Sequence, residues 1–366
     1  MQALRLYAGP SARRHIEENG LRPQDVGAIP AAAGGPKGLV LGPLDRFLFG
    51  QWLTQSTQST QPIHLIGASI GAWRMATACL NDNVAALHRL ERDYIAQHFE
   101  LPPGQKSPSA AQVSRQFRHN LRLFFDGRVG EVLAHPRYRL HVLTSHGRGL
   151  LARDGRWRTP LGYASAFATN AVSRKALSAL IDRVVFTGGQ GDKHGEVLPF
   201  DTSDFRSHQA VLSDGNFMDA VQASCSIPFV LQPVHDIAGA PPGAYWDGGI
   251  TDYHMHLRYR LPVASPLVLY PHFQRAVVPG WLDKSWKRRH VATSALDNML
   301  VIAPDPVWVQ SLPNGKLPDR TDFTRYGQDL AERSRVWGCA TSAAQQLADE
   351  FAAWVDRPDL SRVEAL

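Results

Sequence analysis

One stretch constrains this chain more than any other: Ile63 to Ala76, IHLIGASIGAWRMA. A short apolar run, His64-Leu65-Ile66, enters Gly67-Ala68-Ser69-Ile70-Gly71 and leaves as the helix-competent Ala72 to Ala76. Strand, tight turn and helix in this order are the setting of a nucleophile elbow. Gly67 and Gly71 flank a turn too sharp for side chains at those positions, and Ser69 is expected at its apex in a strained backbone conformation. Its hydroxyl would then be exposed, with the following helix aiming the positive end of its dipole at any oxyanion formed there. A bare G-x-S-x-G arises by chance in a chain with 30 glycines. The strand before and the helix after raise Ser69 above a structural turn serine.

The same alternation recurs earlier. Val26 to Ala33 is a strand-like apolar run that stops at Gly34-Gly35-Pro36-Lys37-Gly38, and Leu39 to Leu53 carries apolar residues at helical spacing. Adjacent glycines let backbone N–H groups point at an anion, either a phosphate or the oxyanion of an acyl-transfer intermediate. Neither Walker A nor G-x-G-x-x-G spacing is present, so an oxyanion hole beside the serine elbow is the more economical use. Further on, helices are expected over Asn83 to His98, Ala111 to Phe125 and Asn216 to Ala223, the last capped by Asp214. Strands are expected at Tyr138 to Ser145, Arg183 to Thr187, Tyr245 to Asp247 and Pro266 to Tyr270. Leu101 to Pro108 reads as a loop, and Gly188 to Glu196 as a Gly-rich mobile loop. The last long element, Asp322 to Val355, is helical by pattern.

A chain of 366 residues buries a large core as one large or two modest domains. The reading adopted is residues 1–275 as the catalytic part and 276–366 as a mainly helical extension packed on it. Met1 to Gly20 turns polar within ten residues, and Leu39 to Leu53 is broken by Pro43, Asp45 and Arg46, so neither a signal-peptide core nor a membrane span is expected. Cys79, Cys225 and Cys339 are isolated and lack metal-ligand spacing, which fits buried thiols in a reducing compartment and no metal site. Together these features read as a cytoplasmic protein. The net charge of +6 comes mostly from scattered arginine. One dense cluster contains Trp281, Lys284, Trp286, Lys287, Arg288 and Arg289. It is either a solvated basic segment with its tryptophans on the core or a peripheral contact for an anionic membrane surface. No nucleic-acid motif accompanies it.

Alternating strands and helices predict an α/β fold, in which ligands bind at the carboxyl ends of strands. Three motifs fall at such ends: Gly34-Gly35-x-Lys37-Gly38, Gly67-x-Ser69-x-Gly71 and Asp247-Gly248-Gly249. With Ala223-Ser224-x-Ser226-Ile227-Pro228-Phe229 between them, the chain resembles the patatin-like phospholipases, a family of lipid acyl hydrolases, over roughly Val26 to Tyr253. The resemblance implies a three-layer α/β/α fold with a mainly parallel sheet. It also implies a Ser69 nucleophile with Asp247 as its base, Gly34 and Gly35 as oxyanion-hole donors, and Lys37 as the basic residue of that loop. Gly38, Gly67, Gly71, Gly248 and Gly249 would support the site. The substrate would be a lipid or other acyl ester, with neither metal nor organic cofactor needed.

Two departures from the family pattern stand out. Ala32-Ala33 precede the paired glycines where a third glycine and an acidic residue are usual, and Pro36 has no N–H to donate. After the Asp, Thr251-Asp252-Tyr253-His254 replaces the usual Asn and Pro. Two other readings remain open on sequence: a Ser-His-Asp esterase that recruits His254, His256 or His272, and a catalytically weak scaffold that binds lipid or a partner.

Overall fold

The apolar runs that read as strands assemble into one 11-stranded sheet. The structure is a computed structural model describing residues 1–55, 61–101, 105, 107–189 and 197–366. The expected loops at Leu101 to Pro108 and Gly188 to Glu196 lie partly outside the described residues. In chain order the strands are β1 (Leu4–Ala8), β2 (Val26–Ala31), β3 (Ile63–Gly67), β4 (Tyr138–Gly147), β5 (Ile181–Thr187), β6 (Ser207–Val211), β7 (Val234–His235), β8 (Ala244–Asp247), β9 (Leu267–Pro271), β10 (Met299–Pro304) and β11 (Val363–Ala365). Their spatial order is β11-β1-β10-β9-β2-β3-β4-β5-β6, with β8 on β4 and β7 on β8. The central run from β10 through β4 is parallel throughout. Every residue of β2, β9 and β10 is buried, as expected of parallel strands covered by helices on both faces. This is the three-layer α/β/α arrangement with a mainly parallel sheet.

One detail of the register positions the site. The first half of β4 pairs with β3, ending at Gly67 opposite Val142. Farther along β4, β8 pairs antiparallel, with its last residue Asp247 opposite Thr144. Since β5 occupies the other edge of β4, β3 and β8 lie end to end along one edge and point their carboxyl ends at each other. Ser69, two residues past β3, and Asp247, the end of β8, are thereby brought together although they are far apart in sequence.

Several expected elements differ in their bounds, for identifiable reasons. Leu39 to Leu53 is not one helix but a 3-10 segment Gly35–Leu41, an α-helix Gly42–Phe47 and a π segment Leu48–Trp52. Pro43 lacks the N–H that would continue the preceding turn and sits in the first turn of a new helix instead. The helix after Asp214 starts at Phe217 with Asn216 at its N-cap, and Asn216 Oδ1 accepts the Ser213 N–H, so Asp214 is not the cap. Asp322 to Val355 comprises three helices, Thr321–Tyr326, Leu330–Ala343 and Gln345–Asp356. The C-terminal segment, expected to be mainly helical, also adds two strands to the sheet, β10 between β1 and β9 and β11 at the edge beside β1. Cys79 and Cys225 are buried thiols, but Cys339 is exposed.

The elbow helix, Ile70–Ala78, is buried along its whole length. It abuts the end of β2 so closely that a Cβ on Gly71 would stand 2.1 Å from the Ala31 carbonyl oxygen. Gly71→Ala must therefore push the helix off the sheet, and we expect a loss of about 3 kcal/mol in unfolding free energy by chemical denaturation. An unchanged denaturation midpoint would contradict this packing.

Candidate active site

The Gly67-Ala68-Ser69 turn closes as its sequence demands, but Ser69 at its apex is buried, not exposed as expected, because the Ala223 to Phe229 block and Asp247 pack over it. Ser69 sits at φ 57, ψ −134, in the positive-φ region that a non-glycine residue enters only under constraint. Its N–H donates to Ser224 Oγ at 2.9 Å, and the Ser224 hydroxyl donates to the Leu143 carbonyl at 2.7 Å. Leu143 lies on β4 between the partners of Gly67 and Asp247. A buried hydroxyl thus fastens the strained apex to the strand on which both halves of the site are registered. Ser224 belongs to the Ala223 to Phe229 block.

The Ser69 hydroxyl donates to Asp247 Oδ2 at 2.7 Å. The other carboxylate oxygen accepts the Gly249 N–H at 2.7 Å, and the Asp247 N–H donates to the Ser226 carbonyl at 2.9 Å. Asp247 therefore has both its backbone and its side chain fixed. Burial pushes its carboxyl up to about 6, against the opposing pull of the Ser69 hydroxyl, Arg320, the Gly249 N–H and Lys284. A carboxylate so placed is a stronger base than one in water, yet is ionised at neutral pH. Gly248 passes so close to β4 that a Cβ on it would lie 2.0 Å from the Leu143 oxygen. The paired glycines after Asp247 are thus required by space as well as by the turn.

The histidines have other partners. His254 Nδ1 faces the Val278 N–H and the Ala276 carbonyl, one of which it bonds according to its tautomer, while His256 bonds to the Val277 carbonyl and Thr293, and His272 to the Gln274 carbonyl. Burial lowers the basicity of all three. Among the described residues, the hydrogen bonds of Ser69 and Asp247 involve no histidine. The Cys225 thiol is close enough to interact with Ser69, but burial holds it well above its ordinary pKa, so it stays protonated.

Two open cavities flank the glycine loop. Asp247, Gly34, Gly249 and Tyr253 line one, together with Lys284 and Arg320. Leu39, Ile70, Leu87, Leu90 and Tyr94 line the other, which is largely apolar and has Gly35 and Gly38 on its wall. Gly34 has no space for a side chain, because a Cβ would meet the Phe273 ring at 2.6 Å. Gly35 takes φ 57. The Lys37 ammonium stands 5.4 Å from the centroid of Phe273, and burial lowers its pKa. The loop, the elbow and Asp247 therefore converge at the carboxyl ends of β2, β3 and β8. Among the described residues, no group of His, Cys, Asp and Glu is arranged to hold a metal ion.

The family model for patatin-like phospholipases matches residues 47–255. The chain belongs to that family. A search of curated proteins finds no match. The matched span contains both Ser69 and Asp247, while Gly34 to Lys37 precede it and Lys284 and Arg320 follow it. In this patatin-like chain, the departure after Asp247 has a structural role. Asp252 pairs with the fully buried guanidinium of Arg183 at 2.6 Å, and Tyr253 forms part of the cavity wall.

Three residues of the site were not singled out from sequence for the parts they take. Ser224 fell within the matching block without a role, Lys284 was read as one cation of a basic cluster, and Arg320 carried no signal. The basic cluster itself divides. Arg289 pairs with the buried Asp283 at 2.6 Å, and Trp286 stacks on Phe167 with ring centroids 6.3 Å apart. Trp281 lines the Asp247 cavity, and Lys287 and Arg288 are exposed.

Proposed function

We propose that this chain hydrolyses lipid or other acyl esters through a Ser69–Asp247 dyad and an acyl-enzyme. The observation that carries the reading is the 2.7 Å hydrogen bond from the strained, buried Ser69 hydroxyl to a carboxylate whose pKa burial has raised. Ser69 Oγ attacks the ester carbonyl and a C–O bond forms as Asp247 takes the hydroxyl proton. The oxyanion is held by N–H groups of Gly34 and Gly35 and by the N-terminus of the helix Ile70–Ala78. Collapse breaks the bond to the leaving alcohol, which receives the proton from Asp247. Water, activated by the same carboxylate, then hydrolyses the acyl-enzyme and restores Ser69. The apolar cavity between Leu39, Ile70 and Leu87 takes the acyl chain. Lys37, Gly38, Gly67, Gly71, Gly248 and Gly249 hold the loops in place. No step calls for a metal or organic cofactor.

We place the protein in the cytoplasm, with residues 1–275 as the catalytic part and 276–366 packed on it. Among the described residues, no helix is long and apolar enough to cross a membrane. Peripheral contact with lipid would use Lys287, Arg288 and the Trp281–Trp286 segment. Phe229 supports such a contact: it is 60% exposed at φ 67, directly after Pro228 of the Asp247 cavity.

The reading is tested on a panel of short-chain esters and monomeric lipids followed from pH 4 to pH 9. Asp247 is competent when deprotonated and its carboxyl sits at about 6. kcat/KM should therefore rise tenfold per pH unit below about 6 and level off above it. Absence of turnover on every ester, or an acidic limb near pH 4 as for a carboxylate in water, would contradict it.

A further inference from the structure

Several buried or partly buried arginines of this chain pair with carboxylates. Arg74 meets Asp45 at 2.8 Å, Arg183 meets Asp252 at 2.6 Å, and Arg174 and Arg289 share Asp283 at 2.8 and 2.6 Å. Lys284 and Arg320 are exposed and both line the Asp247 cavity, and among the described residues neither has a carboxylate within ion-pairing distance. Arg320 reaches over the glycine loop, where a Cβ on Gly35 would come within 3.2 Å of its Nε. The Lys284 ammonium lies 4.2 Å from the Tyr253 ring centroid. Lost hydration, with repulsion from Arg320 and Lys37, pulls Lys284 down to about 8. Asp247, the carboxylate that acts on Lys284, is engaged by Ser69 and the Gly249 N–H.

Both cations stand on purpose-built loops. Arg320 heads the helix Thr321–Tyr326, and this turn is anchored by the buried Asp322. Asp322 pairs with Lys316 at 2.8 Å and accepts the Trp337 indole N–H at 2.9 Å. Lys284 follows the turn Trp281–Asp283, which is anchored by the fully buried Asp283 through Arg174, Arg289 and Asn170. Two independent buried carboxylates thus hold two loops so that uncompensated cations converge on one cavity. Two like-signed groups at one cavity mouth complement a bound anion. A guanidinium fork beside an ammonium suits the oxygens of a phosphate.

We propose that Lys284 and Arg320 form an anion-binding subsite that selects acyl esters whose alcohol portion carries a net negative charge, a phosphate foremost. This rests on the esterase reading above and deepens it. Head-group choice is then set by the segment after residue 255, beyond the part of the chain that the family model matches.

The test compares dihexanoyl phosphatidic acid with dihexanoyl phosphatidylcholine and dihexanoylglycerol, which share their acyl chains. At about tenfold per charge-assisted contact, the wild type should favour the anionic ester by about a hundredfold in kcat/KM, expressed mainly in KM. Arg320→Gln with Lys284→Gln should bring the preference to within about threefold, and Arg320→Lys should retain most of it. Equal rates on the three esters by the wild type, or a preference that survives the double substitution, would overturn the proposal. In a parallel arm, calorimetry measures inorganic phosphate binding to Ser69→Ala, which needs no turnover. The affinity should fall at least about tenfold when Lys284→Gln and Arg320→Gln are added. Turnover of no ester, with phosphate bound in this way, would sink the esterase reading and leave a site for a free anion. Phosphate binding without discrimination among hydrolysed esters would overturn head-group selection.

Discussion

Replacing Asp247 with asparagine is expected to lower kcat on a short-chain ester by about a thousandfold while leaving the fold intact. The asparagine carbonyl can still accept the Gly249 N–H that Oδ1 accepts at 2.7 Å, and its amide fills the same volume beside Ser69 Oγ. What disappears is the acceptor of the Ser69 proton, alone in that position among the described residues. The effect on stability runs the other way. The Asp247 carboxyl titrates at about 6 in the folded protein, against its ordinary value of 3.8. The ionised form is therefore disfavoured by folding above about pH 6, and that penalty vanishes below about pH 4. Asp247→Asn removes it, so the variant should be up to about 3 kcal/mol more stable than wild type at pH 8, with no gain at pH 4. Thermal melts of both proteins at the two pH values, beside their rates, check this. A variant that is less stable at both and equally active would remove Asp247 from the mechanism.

Ser69→Ala is expected to lose still more, about ten-thousandfold or beyond, because it removes the attacking atom and with it the acyl-enzyme route. The alanine inherits the same φ of 57, so the backbone strain stays, and the Ser224 bridge from the Ser69 N–H to the Leu143 carbonyl is unaffected. Asp247, however, loses the hydroxyl that lowers its pKa, so its carboxyl should titrate above about 6 in this variant. Titration followed by the carboxyl stretch, with Asp247→Asn as the subtraction reference, measures that shift. A downward shift would mean that the hydroxyl is not the donor that holds the carboxylate.

The parts of this site legible in sequence are those where the backbone itself is constrained. Ser69 is announced by Gly67 and Gly71, and Asp247 by Gly248 and Gly249. At Gly71 and Gly248 a Cβ would run into a carbonyl oxygen of a neighbouring strand. Such steric demands leave a mark at fixed spacing. The register that brings the two residues together, β3 and β8 meeting end to end along β4, leaves none, because it depends on which strands pair. Ser224 has the same difficulty: its hydroxyl matters through two bonds that exist only after folding. Lys284 and Arg320 are exposed cations among 39 lysines and arginines, and only the loops anchored by Asp283 and Asp322 distinguish them. Of the fold, β2, β3, β4 and β9 showed as apolar runs. The run Met299 to Ala303 is equally apolar, but a short buried strand cannot be told from a buried helix by periodicity alone, so β10 was not anticipated. The helix Arg158–Val172 was missed for a related reason, since its Thr, Ser and Pro160 blur the stripe that marks an amphipathic helix.

The central claim is that Ser69, activated by Asp247, is the nucleophile. Intact-protein mass spectrometry after exposure to a fluorophosphonate, followed by peptide mapping, tests it most directly. A single adduct on Ser69 is expected in the wild type, none in Ser69→Ala, and labelling slowed about a thousandfold in Asp247→Asn. An unlabelled wild type, an adduct on another residue, or full-rate labelling of Asp247→Asn would contradict the account.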